Sequence, residues 1–373
     1  MSDILDTPQL ARALAVRDLS DPARGPHAMQ LLADEIVDAV AARWSMPARR
    51  HRPGPVVTVA DNYDSLGYAP DDVTRDARYT RYLGPDVMLR SHTSSGMPPV
   101  LRAIAAEAPR PYRTLHAVSG ICHRRDTIDR LHVGTPHQLD LWRVEDAGYT
   151  DPAVLRELAE TLVGVVRPGA RWRLVPATHP YTRQGAQLDV EVDGEWVELA
   201  ECGLIHGGVL RQAGLDPRLW TGTALGMGLD RALMLRKGVP DIRMLRSADP
   251  RVAAQLQDLE PWRPVSSSPP VRRDVSIVVG GAVDAELLGD RVREALGERA
   301  DELEAIEVLA ATPAAELPAA ARERLRIGAG QRNLLVRLTL RPLAGTLTDA
   351  EANRLRDLAY LAMHEGEVLE LIG

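Results

Sequence analysis

Arg231 stands just beyond a run with glycines at 222, 226 and 228, in the stretch Gly222-Thr223-Ala224-Leu225-Gly226-Met227-Gly228-Leu229-Asp230-Arg231. Glycines at alternate positions let a strand backbone lie close to a flat ligand. An arginine opening the next helix can then grip a phosphate with two parallel hydrogen bonds. That pairing suits adenine stacked on a sheet with its triphosphate bent back. A second group is Gly120-Ile121-Cys122-His123-Arg124-Arg125-Asp126, followed by His132 and then Pro136-His137-Gln138-Leu139-Asp140. A strand–loop–strand carrying Arg124, with the acid Asp126 two residues on, can hold an α-phosphate and the edge of a base. Displacing pyrophosphate needs reactants held in line and positive charge where negative charge builds. A third group is Leu89-Arg90-Ser91-His92-Thr93-Ser94, where His92 and Ser94 alternate onto one face of an extended strand. Each group alone has a plainer reading: a strand–helix turn, a hairpin with solvated charges, a surface polar pair.

These residues need a scaffold. Met29, Leu31, Leu32, Ile36, Val37, Val40 and Ala41 recur at helical spacing and predict a helix over about 27–44, ended by Pro47 and Pro53. A strand is expected at 54–60, loop at 61–86, short strands and turns over 87–145, a helix at 151–166, strands over 171–205 and a helix at 227–237. Strands interrupted by helices argue for an antiparallel-dominated α+β domain rather than a doubly wound sheet. The G-x-G run lacks the dinucleotide-binding spacing. Pro261 to Pro270 (PWRPVSSSPP) reads as a linker. Beyond it come a strand at 274–279, a helix near 284–297, strands near 304–309 and 333–341, and a helix near 348–364. That order resembles a split βαβ, ferredoxin-like unit. Thr348 and Glu351 have capping-box spacing. The expected organisation is a domain over 1–260, a linker over 261–270 and a smaller domain over 271–373.

Bulk properties narrow the field. The chain has 373 residues, 45% hydrophobic and 26% charged, enough to bury substantial cores. No apolar run is long enough to span a membrane. The acidic start, Met1-Ser2-Asp3-Ile4-Leu5-Asp6, has no feature of a signal or transit peptide. Cys122 and Cys202 fit a reducing cytosol and lack zinc spacing. A net charge of −7 argues against general nucleic-acid coating, but not against a local basic path. The chain contains no phenylalanine, although it has 6 Trp and 8 Tyr. GC-rich coding is one explanation, since Lys237 is the sole lysine.

The 222–231 run, trailed by Gly238-Val239-Pro240-Asp241-Ile242-Arg243, closely resembles motif 3 of the class II aminoacyl-tRNA synthetases, and in particular the catalytic subunit of phenylalanyl-tRNA synthetase. The 120–140 stretch resembles that family's motif 2, with Pro136 in place of a usual phenylalanine and Asp140 in place of a usual glutamate. The resemblance covers about residues 27–373 and implies an antiparallel sheet flanked by helices. Pro269-Pro270-Val271-Arg272-Arg273-Asp274-Val275-Ser276 and the segments at 337–340 and 346–351 resemble the ferredoxin-fold anticodon-binding domain.

The resemblance also implies roles. Arg124 and Arg231 would be catalytic, on the phosphates. Asp126, His132, His137 and Gly228 would bind ATP, and Glu198, in Trp196-Val197-Glu198-Leu199, would add a Mg²⁺ contact. His92, Ser94, Gln138 and Asp140 would hold the amino acid's backbone groups. His179-Pro180-Tyr181 stands where the family has Phe-Pro-Phe, so an imidazole and a phenol would wall the side-chain pocket. Leu225 replaces another phenylalanine, and Ala224 remains as the floor. The expected function is ATP-dependent activation of phenylalanine and its transfer to tRNA, a cytoplasmic activity of a monomer needing no editing subunit, with a backup or self-resistance form as one reading. A tyrosine-like substrate, for tRNA or a small-molecule pathway, and a non-catalytic tRNA-binding regulator remain the alternatives.

Overall fold

The computed structural model describes residues 4–77, 79–107, 110–124, 129, 131–265, 269–342 and 345–369. It divides into two compact units, one of 1–124, 135–239 and 254–262, the other of 125–134, 240–253 and 263–373.

The strands of the first unit are β1 (Ala48–His51), β2 (Val56–Thr58), β3 (Arg81–Tyr82), β4 (Val87–Leu89), β5 (Arg113–Ile121), β6 (His137–Glu145), β7 (Trp172–Pro176), β8 (Thr182–Val192), β9 (Glu195–Ile205) and β10 (Thr221–Gly228). Its helices are α1 (Thr7–Ala15), α2 (Ala28–Arg43), α3 (Val59–Asn62), α4 (Met97–Glu107), α5 (Val154–Val166), α6 (Gly207–Gln212) and α7 (Leu229–Lys237). Seven strands form one sheet in the order β1-β5-β6-β10-β9-β8-β7. Only β1 pairs in parallel, with β5; the other pairings are antiparallel. A small sheet, β2-β4-β3, stands apart. This is the α+β, antiparallel-sheet architecture expected from the sequence.

Helix α2 forms because Met29, Leu32, Ile36, Val37 and Val40 make one buried stripe, and His27 Nδ1 caps it by accepting from the Met29 N–H at 3.1 Å. Helix α5 buries Leu155, Leu158, Leu162 and Val166 in the same way. Helices α2, α5 and α7 pack together on one face of the large sheet. That leaves the side chains at alternate positions of β6, namely Gln138, Asp140 and Trp142, for the other face.

Three expectations change. Residues 87–145 are not only strands, because α4 occupies Met97–Glu107. Its Pro98 and Pro99 fall in the first turn, where a missing N–H costs no helical hydrogen bond. The strand expected over 54–60 stops at Thr58, whose side chain caps α3. His92 and Ser94 do not alternate along a strand. His92 is extended, but Ser94 lies in the 3₁₀ turn Thr93–Gly96.

The second unit contains α8 (Pro250–Ala253), β11 (Val271–Gly280), α9 (Ala285–Leu296), β12 (Leu303–Pro313), α10 (Ala319–Leu325), β13 (Gln331–Leu340) and α11 (Asp349–Met363). Its antiparallel sheet runs β11-β13-β12. Val275, Ile277, Leu288, Val292, Val336, Leu338, Leu355 and Tyr360 are among its core residues. The strand order matches the first three strands of a ferredoxin-like unit. After α11 the chain returns to the free edge of β11, where the Glu365 N–H donates to Val278 O at 2.7 Å. The capping box is formed: Glu351 Oε2 accepts from the Thr348 N–H at 2.9 Å, and Thr348 Oγ1 accepts from the Glu351 N–H at 3.3 Å. The Asp241-Ile242-Arg243 tail belongs to this unit. Arg243 forks onto Asp241 and donates to the carbonyls of Asp301 at 2.7 Å and Arg341 at 3.1 Å. Among the described residues no helix is long and apolar enough to cross a membrane.

Candidate active site

The register of β6 against β10 assembles the site. Gln138 lies opposite Gly228, Asp140 opposite Gly226 and Trp142 opposite Ala224. The residues read as nucleotide-binding and those read as amino-acid-binding therefore sit on adjacent strands.

At the end of β10 the surface is open. A Cβ built on Gly228 would meet nothing within 4 Å. Arg231, in the first turn of α7, sends Nη1 to the carbonyl of Glu198 at 3.0 Å and lies 4.0 Å from the Glu198 carboxylate. The Glu198 side chain is 46% exposed. This leaves a guanidinium and a half-exposed carboxylate beside a bare strand backbone. That donor set fits a phosphate chain with Mg²⁺, which takes one or two carboxylates and completes its shell with phosphate and water. Among the described residues there is no group of three or more His, Cys, Asp or Glu that could hold a metal by themselves.

Toward the middle of β6 the site is sealed. Asp140 is 1% exposed. Its Oδ2 accepts from Thr93 Oγ1 at 2.5 Å, and its Oδ1 from Ser94 Oγ at 2.7 Å and Trp142 Nε1 at 3.2 Å. Burial raises its pKa, against the pull of those donors. Gln138 Oε1 accepts from the Thr93 N–H at 3.2 Å and from Cys122 Sγ at 3.4 Å. The 3₁₀ turn is thus pinned to β6 at several points. Tyr181 stacks on Trp142 with centroids 5.9 Å apart and pairs its hydroxyl with Ser94. Burial raises the Tyr181 pKa well above the phenolic range. His179 Nε2 lies 3.1 Å from Glu201, and its Nδ1 lies 3.3 Å from Thr182 Oγ1. Ala224 is fully buried.

His92 stacks on Tyr68 at 5.6 Å and meets Tyr63 edge-on at 6.2 Å. Its Nδ1 has no hydrogen-bond partner among the described residues. Burial, with the charges of Arg124 and Arg90, lowers its pKa to about 4, so the ring is neutral near pH 7. Arg124 pairs its backbone with Thr80 in an isolated bridge.

Other assignments are redistributed. His137 is not available to ATP. It is fully buried, its Nε2 accepts from the Leu19 N–H at 2.9 Å, and its Nδ1 therefore carries the proton that faces Asp230 at 3.0 Å. It ties β6 to α7. His132 lies in the 125–134 segment of the second unit, where its Nδ1 stands 2.8 Å from both Asp129 oxygens. Asp126 lies outside the described residues.

Sequence reasoning passed over several residues. Arg90 is 1% exposed; its Nε donates to Ile121 O at 2.7 Å and its Nη1 to Pro53 O at 2.9 Å. Its guanidinium crosses Gly120, where a Cβ would stand 1.8 Å from Nη2. Asp18 accepts from the Ile121 N–H at 3.0 Å and lies 3.7 Å from His137. No spacing in the chain links these partners, which lie 31 and 37 residues away for Arg90 and 103 for Asp18.

Known proteins with related sequences are consistent with this geometry. Residues 24–256 match the family described as tRNA synthetases class II core domain (F). A phenylalanine–tRNA ligase alpha subunit of Gemmatimonas aurantiaca is 38% identical over 203 residues, covering 52% of this chain and 58% of that protein. The protein of the same name from Prochlorococcus marinus is 32% identical, covering 64% of this chain and 70% of its own. That from Mycobacterium avium is 34% identical, with 62% and 67% covered. The chain thus spans between 58% and 70% of the length of these relatives. With more than half its length matched by the core model, the chain belongs to the class II tRNA synthetases, in the family described as core domain (F).

Proposed function

We propose that the chain joins an amino acid to ATP, releasing pyrophosphate, and passes the activated acyl group to tRNA, as a phenylalanine–tRNA ligase does. The observation that carries this reading is the β6–β10 register, which sets Gly228 and Arg231 beside Gln138, Asp140 and the 93–96 turn. Reactants bound on adjacent strands are held for in-line attack of a carboxylate on the α-phosphorus. Arg231 supports the charge that builds as pyrophosphate leaves, with Arg124 proposed to share that role. Mg²⁺, held by Glu198 and the phosphates, would supply charge neutralisation. The unpartnered Nδ1 of neutral His92, with Gln138, would receive the amino acid's backbone groups.

Phenylalanine is the side chain that the relatives' names carry. The tyrosine alternative drew on the polar atoms of His179 and Tyr181, and those already have partners in Glu201, Thr182 and Ser94. We further propose tRNA-Phe as acceptor, the 271–373 region as its anticodon-binding part, a cytoplasmic location, and action without a second subunit, although the relatives are named alpha subunits. The absence of phenylalanine from a 373-residue chain supports a backup role, because such a protein can be made when phenylalanyl-tRNA is scarce.

Pyrophosphate exchange across the twenty amino acids tests activation, and charging of tRNA-Phe by the purified chain alone tests transfer. Exchange with no amino acid would refute the reading. Rescue of cells whose own phenylalanyl-tRNA synthetase is blocked tests the backup role, and failure despite good expression would refute it.

A further inference from the structure

The loop at 64–68 brings a further ring to the amino-acid end of the site. Its 3₁₀ turn, Asp64–Leu66, ends at Gly67, which takes a φ of 83°. A Cβ at Gly67 would stand 3.1 Å from the carbonyl oxygen of Pro180, so the turn is packed on the segment entering β8 that carries His179 and Tyr181. Tyr68 follows, half-buried. It packs against the cluster that holds Leu66, Trp142, Tyr181 and Ala224. Its ring lies 5.6 Å from that of His92 at an interplanar angle of 17°, and meets Tyr63 edge-on at 5.3 Å.

The phenols of this region differ in what their oxygens do. Tyr181 pairs its hydroxyl with Ser94, and the Tyr63 hydroxyl donates to Thr74 O at 2.8 Å. The Tyr68 hydroxyl has no hydrogen-bond partner among the described residues. Burial first, then Tyr63, Asp140, Asp72 and Glu201, raise its pKa above the ordinary phenolic value. The phenol is therefore neutral near pH 7 and stands where carboxylates favour a cation. Asp140 cannot satisfy such a cation alone. A carboxylate offers about four acceptor positions, and Thr93, Ser94 and Trp142 already occupy three of them. An ammonium group has three N–H donors to place.

We propose that Tyr68 is a further amino-acid-binding residue, whose hydroxyl oxygen accepts a hydrogen bond from the substrate's ammonium group beside Asp140. This rests on the amino-acid-activating reading above. Stacking on His92 and packing on the cluster hold the Tyr68 ring before the ligand arrives, so little ordering is needed to meet the ammonium.

The test is pyrophosphate exchange with phenylalanine by the wild-type chain and by Tyr68→Phe, which removes one oxygen and keeps the ring. 3-Phenylpropanoate, which is phenylalanine without its amino group, is titrated as a competitive inhibitor of both. Tyr68→Phe should raise KM for phenylalanine at least about fivefold, because a hydrogen bond to a charged group is lost. KM for ATP and the inhibition constant of 3-phenylpropanoate should each stay within about twofold of wild type, since neither ligand presents an ammonium to the lost oxygen. An unchanged KM for phenylalanine overturns the proposal. So does an equal loss for phenylalanine and 3-phenylpropanoate, which would make Tyr68 a wall of the site rather than a partner of the ammonium. In both cases exchange by the wild-type chain leaves activation standing. Exchange with no amino acid by folded wild-type protein overturns the activating reading, and this proposal with it.

Discussion

Around Gly228 and Arg231 the large sheet is open, whereas around Asp140 it is closed by hydroxyls and rings. At the open end, Glu198 keeps 46% of its side chain in solvent and Arg231 is steadied by a backbone carbonyl. At the closed end, an Asp140 carboxylate only 1% exposed takes donors from Thr93, Ser94 and Trp142. The open part carries little of the fold's stability and can give its charge to a ligand. The closed part spends its polar atoms on itself, so what it contributes is shape.

That contrast can be broken at either end. The largest effect is expected from Arg231→Ala, which should lower pyrophosphate exchange about 100- to 1,000-fold. Urea unfolding of the same variant should shift by no more than about 1 kcal/mol, because the Arg231 bond to the Glu198 carbonyl lies at an exposed edge. A variant that exchanges normally would remove Arg231 from the reaction. At the closed end the balance should invert. Asp140→Ala strands three buried donors and should cost about 3 kcal/mol in urea unfolding. Stability unchanged by Asp140→Ala would mean that the donors find other partners and that the turn is not pinned by the carboxylate.

A smaller effect is expected at Glu198. Glu198→Gln should leave stability within about 0.5 kcal/mol, as for an exposed group, while the Mg²⁺ concentration giving half-maximal exchange rises several-fold. An unchanged Mg²⁺ dependence would take Glu198 out of the metal's shell. The smallest effect concerns acid. His116, bonded to Tyr112 at 2.8 Å and to His51 at 3.0 Å, has its pKa lowered by burial and by His51 and Arg49 to about 3. His92 is lowered from 6.5 to about 4. The unfolded chain therefore binds protons that the folded chain refuses between those values and 6.5. Stability should fall as pH drops through that window. The thermal midpoint should be lower at pH 5 than at pH 7, and His116→Asn should flatten the slope. An equal slope in wild type and variant would place the acid sensitivity elsewhere.

The open end was the legible part. Gly228 and Arg231 follow one another in sequence, and their chemistry shows in their types. The helices over 28–43, 154–166 and 229–237 were equally plain, since each buries a regular stripe. Helix α4 was hidden by its own prolines. The closed end was only half legible. His137 looks like a ligand until its two ring nitrogens are followed to Leu19 and Asp230, partners 118 and 93 residues away. Trp142 carries no motif at all. Its place comes from facing Ala224 across the β6–β10 ladder and from stacking on Tyr181, relations that spacing along the chain does not show.

Gly120 has a consequence for how this chain can vary. Arg90 passes so close that a Cβ at position 120 would lie 1.8 Å from Nη2 and 2.8 Å from Cζ. The obstacle is not a flexible tip, because Nε and Nη1 are both tied to backbone carbonyls. Any codon change that alters residue 120 installs a side chain, so its mutational neighbourhood holds no harmless step. Gly228, where nothing lies within 4 Å, faces no such barrier from the protein and is constrained only by what it binds. A drifting gene could therefore lose its ligand through Gly228 while the protein still folds. A change at Gly120 would register first as a loss of folded protein.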